Sequence, residues 1–248
     1  MTKRHDIIWL EKAESTNEVA KRDIASLDNL SVVAAIEQTC GRGQHGNVWK
    51  SAPGKNLTFS VILKSPPIAP KEQFAISQIA ALAITDILSD YGIQAEIKWP
   101  NDIYCGNNKI CGILIENSLS GEAIRSSIIG IGLNVAQDVF PTDIPNPTSM
   151  YLETGEEFAP EDILDRFMDI FKEYASSFLH INGGLLKIRK LYQSILWRKD
   201  EEHLFFDLRS GSTISGKIKG VSDQGLLIIE DTEGILHQYA FQEVRYIL

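Results

Sequence analysis

Lys98-Trp99-Pro100-Asn101-Asp102, followed by Lys109 and then Gly112-Ile113-Leu114, is the stretch on which the reading of this chain turns. Residues 96–99 read as a short strand. Pro100 has no N–H for a ladder and ends it. Asn101 and Asp102 then leave the strand end, a place where binding residues gather. Gly106-Asn107-Asn108 marks a turn, and 110–116 reads as the next strand. Asn101 can donate and accept, which suits recognition of a nucleotide, and Asp102 can orient a cation or a lysine. An ordinary Asn-Asp turn would look the same, so the segment alone leaves both readings open.

Upstream lies Gln38-Thr39-Cys40-Gly41-Arg42-Gly43-Gln44-His45-Gly46-Asn47-Val48-Trp49. Three glycines in six residues let a backbone approach a ligand and expose its amides. Arg42 among them suits a phosphate or carboxylate. A flexible surface turn is the competing reading. No GK[ST] follows, so this is not a Walker loop. Short apolar runs at 32–36 and 57–63 read as strands on either side. Ser15-Thr16-Asn17-Glu18 reads as a capping box opening a helix, with Val19, Ala20, Ile24 and Leu27 at helical spacing. Capping accounts for these residues fully; a second role at a polar ligand needs other support.

Downstream, 71–91 has helical periodicity up to Gly92. Residues 127–135 read as a strand carrying Gly130-Ile131-Gly132-Leu133-Asn134, whose glycines suggest close backbone approach or simple strand packing. Helices are expected over 161–179 and 184–197. From Leu204 on, short strands alternate with turns at Gly211, Gly225 and Gly234. The expectation is an α+β domain over 1–203 followed by a small β-barrel over 204–248.

The chain has 248 residues, 44% of them hydrophobic, enough for a substantial core. No apolar run reaches the about 18 residues of a membrane span, and 7–10 is shorter than the about 7 to 15 of a signal-peptide core, so a cytoplasmic protein is expected. A net charge of -9 and no long basic run argue against DNA as a partner. Cys40, Cys105 and Cys111 match no zinc spacing and read as reduced thiols. His180, His203 and His237 have no ligand-like spacing, and no metal-ligating residues are assigned. His45 could touch a phosphate, or be an exposed loop residue.

In order, Ser15-Thr16-Asn17, Gly41-Arg42-Gly43 with Gly46 and Trp49, Lys98-Trp99-Pro100-Asn101-Asp102, Lys109 before Gly112-Ile113-Leu114, and Gly132-Leu133-Asn134 resemble the biotin–protein ligase family. The resemblance covers about 5–200, and the C-terminal strands look like the family's SH3-like domain. It implies a mixed β-sheet with helices, related to class II aminoacyl-tRNA synthetases. It implies that biotin and ATP, with Mg2+ held mainly by phosphates and water, give biotinyl-5′-AMP, and that a lysine of a biotin carboxyl carrier protein or domain then takes the biotin.

By the same resemblance Ser15, Thr16, Asn17 and Gln38 surround the ureido ring. Gly41, Arg42, Gly43 and Gln44 close over the valeryl chain, with Lys109 and Gly112 also on the biotin side. Asn47, Trp49, Lys98, Asn101 and Asn134 take the ATP side. Joining two anions calls for cations where charge develops, so Arg42 and Lys109 are the catalytic candidates. Gln44 and His45 stand where many members have arginines. The N-terminal winged helix of some members is not expected, since the first motif starts at Ser15. A lipoate–protein ligase and a non-catalytic biotin-binding module are the alternatives. Monomer and homodimer both remain open.

Overall fold

Strands and helices follow one another as β1 (Ile7–Ala13), α1 (Thr16–Arg22), β2 (Val32–Gln38), β3 (Asn56–Lys64), α2 (Phe74–Asp90), β4 (Glu96–Lys98), β5 (Asp102–Cys105), β6 (Asn108–Ser120), β7 (Ala123–Asn134), α3 (Met150–Thr154), α4 (Pro160–Tyr174) and α5 (Gly184–Ser194). Then come β8 (Glu202–Asp207), β9 (Ser212–Val221), β10 (Leu227–Asp231), β11 (Leu236–Tyr239) and β12 (Val244–Tyr246). The computed structural model describes residues 5–247, with the side chain of His45 outside the described part.

The first seven strands form one sheet in the order β1-β2-β3-β7-β6-β5-β4. β1 and β2 run parallel and every other pair antiparallel, so the sheet is mixed. Alternation along the strands sorts side chains to two faces. On one face Val32, Ala34, Leu57, Phe59, Val61, Ile129, Ile131 and Leu133 pack in the main core with α2 and α4. On the other, Val33, Ile62 and Ile128 pack with Ala20 and Leu27 around α1.

α2 is buried nearly all round, which is why it is rich in Ala and Ile. Its Ile76, Ile79, Ile84 and Ile87 are almost wholly buried, each contributing roughly 1.5–3 kcal/mol by leaving water. Phe59 meets Phe167 of α4 edge-on at 5.0 Å between ring centres. The last five strands form an antiparallel sheet in the order β11-β10-β9-β8-β12, with β11 and β12 at its two edges. Its Phe205, Ile218, Val221, Leu227 and Ile229 belong to the same apolar cluster as the first sheet.

Three local expectations change. The capping box does not form: Ser15 makes no cap hydrogen bond, and the N–H of Thr16 donates instead to Gln38 Oε1 at 2.7 Å. The helix over 161–179 relaxes into one wider turn at Ala175–Leu179. β1, β5, α3 and β12 are additional elements. No helix among the described residues is long and apolar enough to cross a membrane.

Candidate active site

The floor of the site is the α1-facing side of three neighbouring strands. In one cross-strand row Thr58 pairs with Gly132, and Gly132 with Gly112; in the next Ser60 pairs with Gly130, and Gly130 with Leu114. Three glycines therefore leave the middle of a well-packed sheet bare on this face. Their space is used: a Cβ on Gly130 would overlap the side-chain amide of Asn17, and one on Gly132 would overlap the indole of Trp49. A cavity of about 320 Å³ lies over this floor, within the usual range for small-ligand sites.

The N-terminus of α1 forms one wall. Ser15, Thr16 and Asn17 are buried there. Asn17 Nδ2 donates to Glu116 Oε2 at 2.9 Å, and Ser60 Oγ donates to Asn17 Oδ1 at 2.6 Å. Ser60 Oγ is also 2.7 Å from Thr16 Oγ1. Because Ser60 has a single hydroxyl proton, its bond to Asn17 requires Thr16 to be the donor in the second contact. That fixes the orientation of both α1 side chains.

Gly41 to Trp49 is a tight hairpin. Trp49 N–H donates to Gly41 C=O at 2.9 Å, Gly43 N–H to Asn47 C=O at 2.7 Å, and Arg42 bridges Val48. Gly41 is required because a Cβ there would overlap the carbonyl of Trp49, and Gly46 sits at φ +84. The hairpin carries Arg42 over the α1 wall, where its guanidinium pairs with Glu18 and lies 3.5 Å from Glu116. The glutamate of the expected capping box is thus an ion-pair partner of Arg42.

Lys109 Nζ lies 2.7 Å from Asp102 Oδ1 and 5.6 Å from the centre of the Trp49 ring. Asp102 and Lys109 meet because β5 and β6 pair directly after the polar turn. Asn101 is pinned to β6: its Nδ2 donates to Ile113 C=O at 2.7 Å. Trp49, Asn47, Asp102 and Lys109 also border a second cavity of about 650 Å³, which Asn134 enters from the end of β7. Asn134 Nδ2 donates to Thr148 C=O, whereas its Oδ1 is buried with no partner. Gln44 Oε1 and Trp49 Nε1 are buried and unpartnered as well. Such atoms cost roughly 1–3 kcal/mol each, and Asn134 Oδ1 and Gln44 Oε1 belong to residues that line the two cavities.

Fourteen of the sequence-predicted site residues line one or other of these two cavities, Gly41 being the exception, one step behind the wall as the hairpin's hinge. Lys98 reaches the rim but its ammonium is taken by the protein, donating to Tyr104 OH at 2.8 Å. Burial lowers its pKa to about 8, with Lys109 and Arg198 adding to the effect and Asp102 opposing it. Burial also pushes the Cys105 thiol up to about 12, and the Cys111 thiol further, so neither supplies a thiolate. The side chain of His45 lies outside the described residues.

Sequence reasoning missed Ser60, Glu18, Glu116 and the far wall. Phe241, Val244, Arg245 and Tyr246 close the first cavity from the C-terminal sheet. Trp99 anchors that sheet, donating from Nε1 to Gly225 C=O at 2.8 Å and meeting Phe241 edge-on. A signal for Ser60 existed: in β3 polar Asn56, Thr58 and Ser60 alternate with apolar Leu57, Phe59 and Val61. No local signal marks the far wall.

Residues 9–134 match the model of the biotin/lipoate A/B protein ligase family. The chain is 34% identical over 218 residues to the bifunctional ligase/repressor BirA of Bacillus spizizenii, covering 85% of this chain and 64% of that protein. It is 31% identical over 234 residues to the biotin–[acetyl-CoA-carboxylase] ligase of Paracoccus denitrificans, covering 91% and 94%. A solved structure of the biotin protein ligase from Aquifex aeolicus in complex with biotin and ATP matches with a TM-score of 0.81 and 26% identity, over 98% of this chain and 99% of that one. The chain belongs to the biotin/lipoate A/B protein ligase family. Within it, the similarity runs to the biotin–protein ligases. The chain spans 64% of the length of the Bacillus ligase/repressor.

Proposed function

We propose that the protein joins biotin to ATP, giving biotinyl-5′-AMP and pyrophosphate, and then passes the biotinyl group to a lysine of a biotin carboxyl carrier domain. The observation that carries this reading is the cavity over the glycine-built floor, bordered at one end by Ser15, Thr16 and Asn17 and at the other by Lys109. A flat bicyclic ring with a urea edge needs apolar contact below and paired donors and acceptors at one end. Ser15, Thr16, Asn17 and Gln38 supply the latter. The Gly41–Gln44 backbone and Gly112 flank the chain that leads to the carboxylate.

In the first step a carboxylate oxygen attacks the α-phosphorus and pyrophosphate leaves. Both reactants are anionic, so cations set before the reaction lower the barrier, typically by about 10²–10³-fold in rate for each well-placed group. Lys109, oriented by Asp102, is one such group. Arg42 is the other; it exchanges Glu18 and Glu116 for the incoming anion. Holding the two substrates in line supplies much of the rest. The second cavity suits the nucleoside: Trp49 offers a ring face, Asn134 Oδ1 an acceptor and Asn47 a polar edge, while Asn101 stands at the first cavity beside it. Mg2+ would come with ATP, held mainly by phosphates and water, and would offset phosphate charge there.

In the second step the neutral acceptor amine attacks the acyl carbon, the amide forms as the nitrogen gives up one proton to solvent, and AMP leaves with the electrons of the broken anhydride bond. We read residues 1–203 as the catalytic part, and the five C-terminal strands as an SH3-like unit over 204–248 that completes the far wall. Biotin-dependent exchange of labelled pyrophosphate into ATP, run beside lipoate and octanoate, tests the reading. Exchange with biotin alone supports it; exchange with lipoate alone, or with none of the three, overturns it.

A further inference from the structure

Lys98 makes a set of contacts that the adenylation reading does not use. It ends β4, and its register partner across the turn is Asp102, whose carboxylate holds Lys109. Its ammonium lies 4.3 Å from the centre of the Tyr104 ring and 5.0 Å from each of the Trp197 and Tyr246 rings. Three aromatic faces from three distant parts of the chain therefore surround one cation: β5, the segment after α5, and β12 of the C-terminal sheet. A cation over a ring face is attracted by the ring's quadrupole, more strongly when water is excluded.

The walls of this cage are themselves held. Trp197 Nε1 donates to Gly106 C=O at 2.7 Å, and the Trp197 ring packs at 5.2 Å on Tyr104 and at 5.5 Å on Tyr246. The charged groups acting on the ammonium are Asp102, Lys109 and Arg198. Asp102 alone is opposite in sign, and it is the group that orients Lys109.

We propose that Lys98 is a positioning residue, a charged pin that holds the C-terminal sheet through Tyr246 against the Asp102–Lys109 pair, and not a ligand of the nucleotide. β12 brings Val244, Arg245 and Tyr246 to the cavity wall, so the pin sets the distance between that wall and Lys109. Its effect on ATP rests on the adenylation reading; its effect on the fit of the two sheets does not.

Lys98→Met keeps length and bulk and removes the charge; Lys98→Arg keeps the charge; Tyr246→Leu removes one wall. Amide hydrogen exchange of β12 and the kinetics of ATP and biotin are measured for each in the full chain. Lys98→Met and Tyr246→Leu are expected to speed β12 exchange and to raise the KM for ATP by about tenfold, a loss in keeping with one enclosed cation–ring contact. Lys98→Arg recovers part of the loss. Unchanged β12 exchange in Lys98→Met overturns the pin, and a raised KM without faster exchange makes Lys98 a direct nucleotide ligand. Should Lys98→Met not fold, Tyr246→Leu decides alone. A wild-type chain silent in pyrophosphate exchange removes the adenylation reading, and β12 exchange still decides the pin.

Discussion

The indole of Trp49 lies against the backbone of Gly132, in the space that a β-carbon at position 132 would fill. One ring from the hairpin thus rests on the middle of the sheet, between the two cavities, and its neighbour Gly112 would carry a Cβ only 3.0 Å from the same ring. Trp49 can keep this place only while position 132 stays without a side chain, and a Cβ at 112 would crowd it.

Gly132→Ala should therefore expel the indole. The hairpin is at the surface and can yield, so the loss of stability should stay below the about 1–3 kcal/mol of overpacking a closed core. Catalytic efficiency for ATP should fall by at least about tenfold, the equivalent of about 1.4 kcal/mol of binding. Thermal melting and ATP kinetics check this; a variant with normal ATP kinetics would remove Trp49 from the nucleotide side.

Lys109→Ala should cost activity far more than stability. Its ion pair with Asp102 is partly exposed, and such pairs contribute about 0–1 kcal/mol to folding. Loss of charge stabilisation should lower the adenylation rate by about 10²–10³-fold. Single-turnover formation of the adenylate measures it, and an unchanged rate in a folded variant ends the catalytic assignment.

Ser60→Ala should weaken biotin without touching ATP. The hydroxyl is the shared partner of Thr16 and Asn17, so its removal leaves Asn17 Oδ1 without a donor and Thr16 Oγ1 without its acceptor, while Glu116 still holds Asn17 Nδ2. A buried polar group left unpaired costs roughly 1–3 kcal/mol, or about 5–150-fold in Kd if the loss falls on binding. Calorimetric titration with biotin reads this directly, with Gly130→Ala as a harsher variant that strikes Asn17 itself.

Lys98 leaves a mark on stability against pH. Its pKa falls from 10.5 to about 8 in the folded chain, chiefly through burial. Between those values the unfolded chain holds a proton that the folded one has released, so stability rises with pH across that window. Tyr104 does the opposite: burial raises it from 10.0 to about 12, and stability falls as pH climbs between the two. Denaturant unfolding of wild type and Lys98→Met from pH 7 to about 10 isolates the first effect. The rise should be smaller in the variant, and identical slopes would show that Lys98 titrates normally.

Much of the site is legible in the sequence. The glycine loop, the polar turn after Trp99 and the paired glycines of β7 carry local constraints that only certain residues meet: bare backbone, a strand end, a fixed charge. Where two local uses of a residue compete, the sequence does not choose between them. Glu18 has the spacing of a capping box, yet Ser15 makes no cap hydrogen bond and Glu18 pairs with Arg42, which the hairpin brings over α1 from 24 positions on. Nothing near Lys98 in sequence announces the rings of Trp197 and Tyr246.

By itself, the sequence determined the chemistry available and the two faces of the first sheet, since period-two alternation and residue type are properties of short segments. The tertiary structure alone decided which groups hold which. Asn17 meets Glu116 across 99 positions, Ser60 meets Asn17 across 43, and the ring of Tyr246 comes to Lys98 from the last strand. Those contacts depend on the order of strands in the sheets and on how the C-terminal sheet seats against Trp99. Both are settled by burial of apolar surface over the whole chain, and no short stretch of residues encodes them.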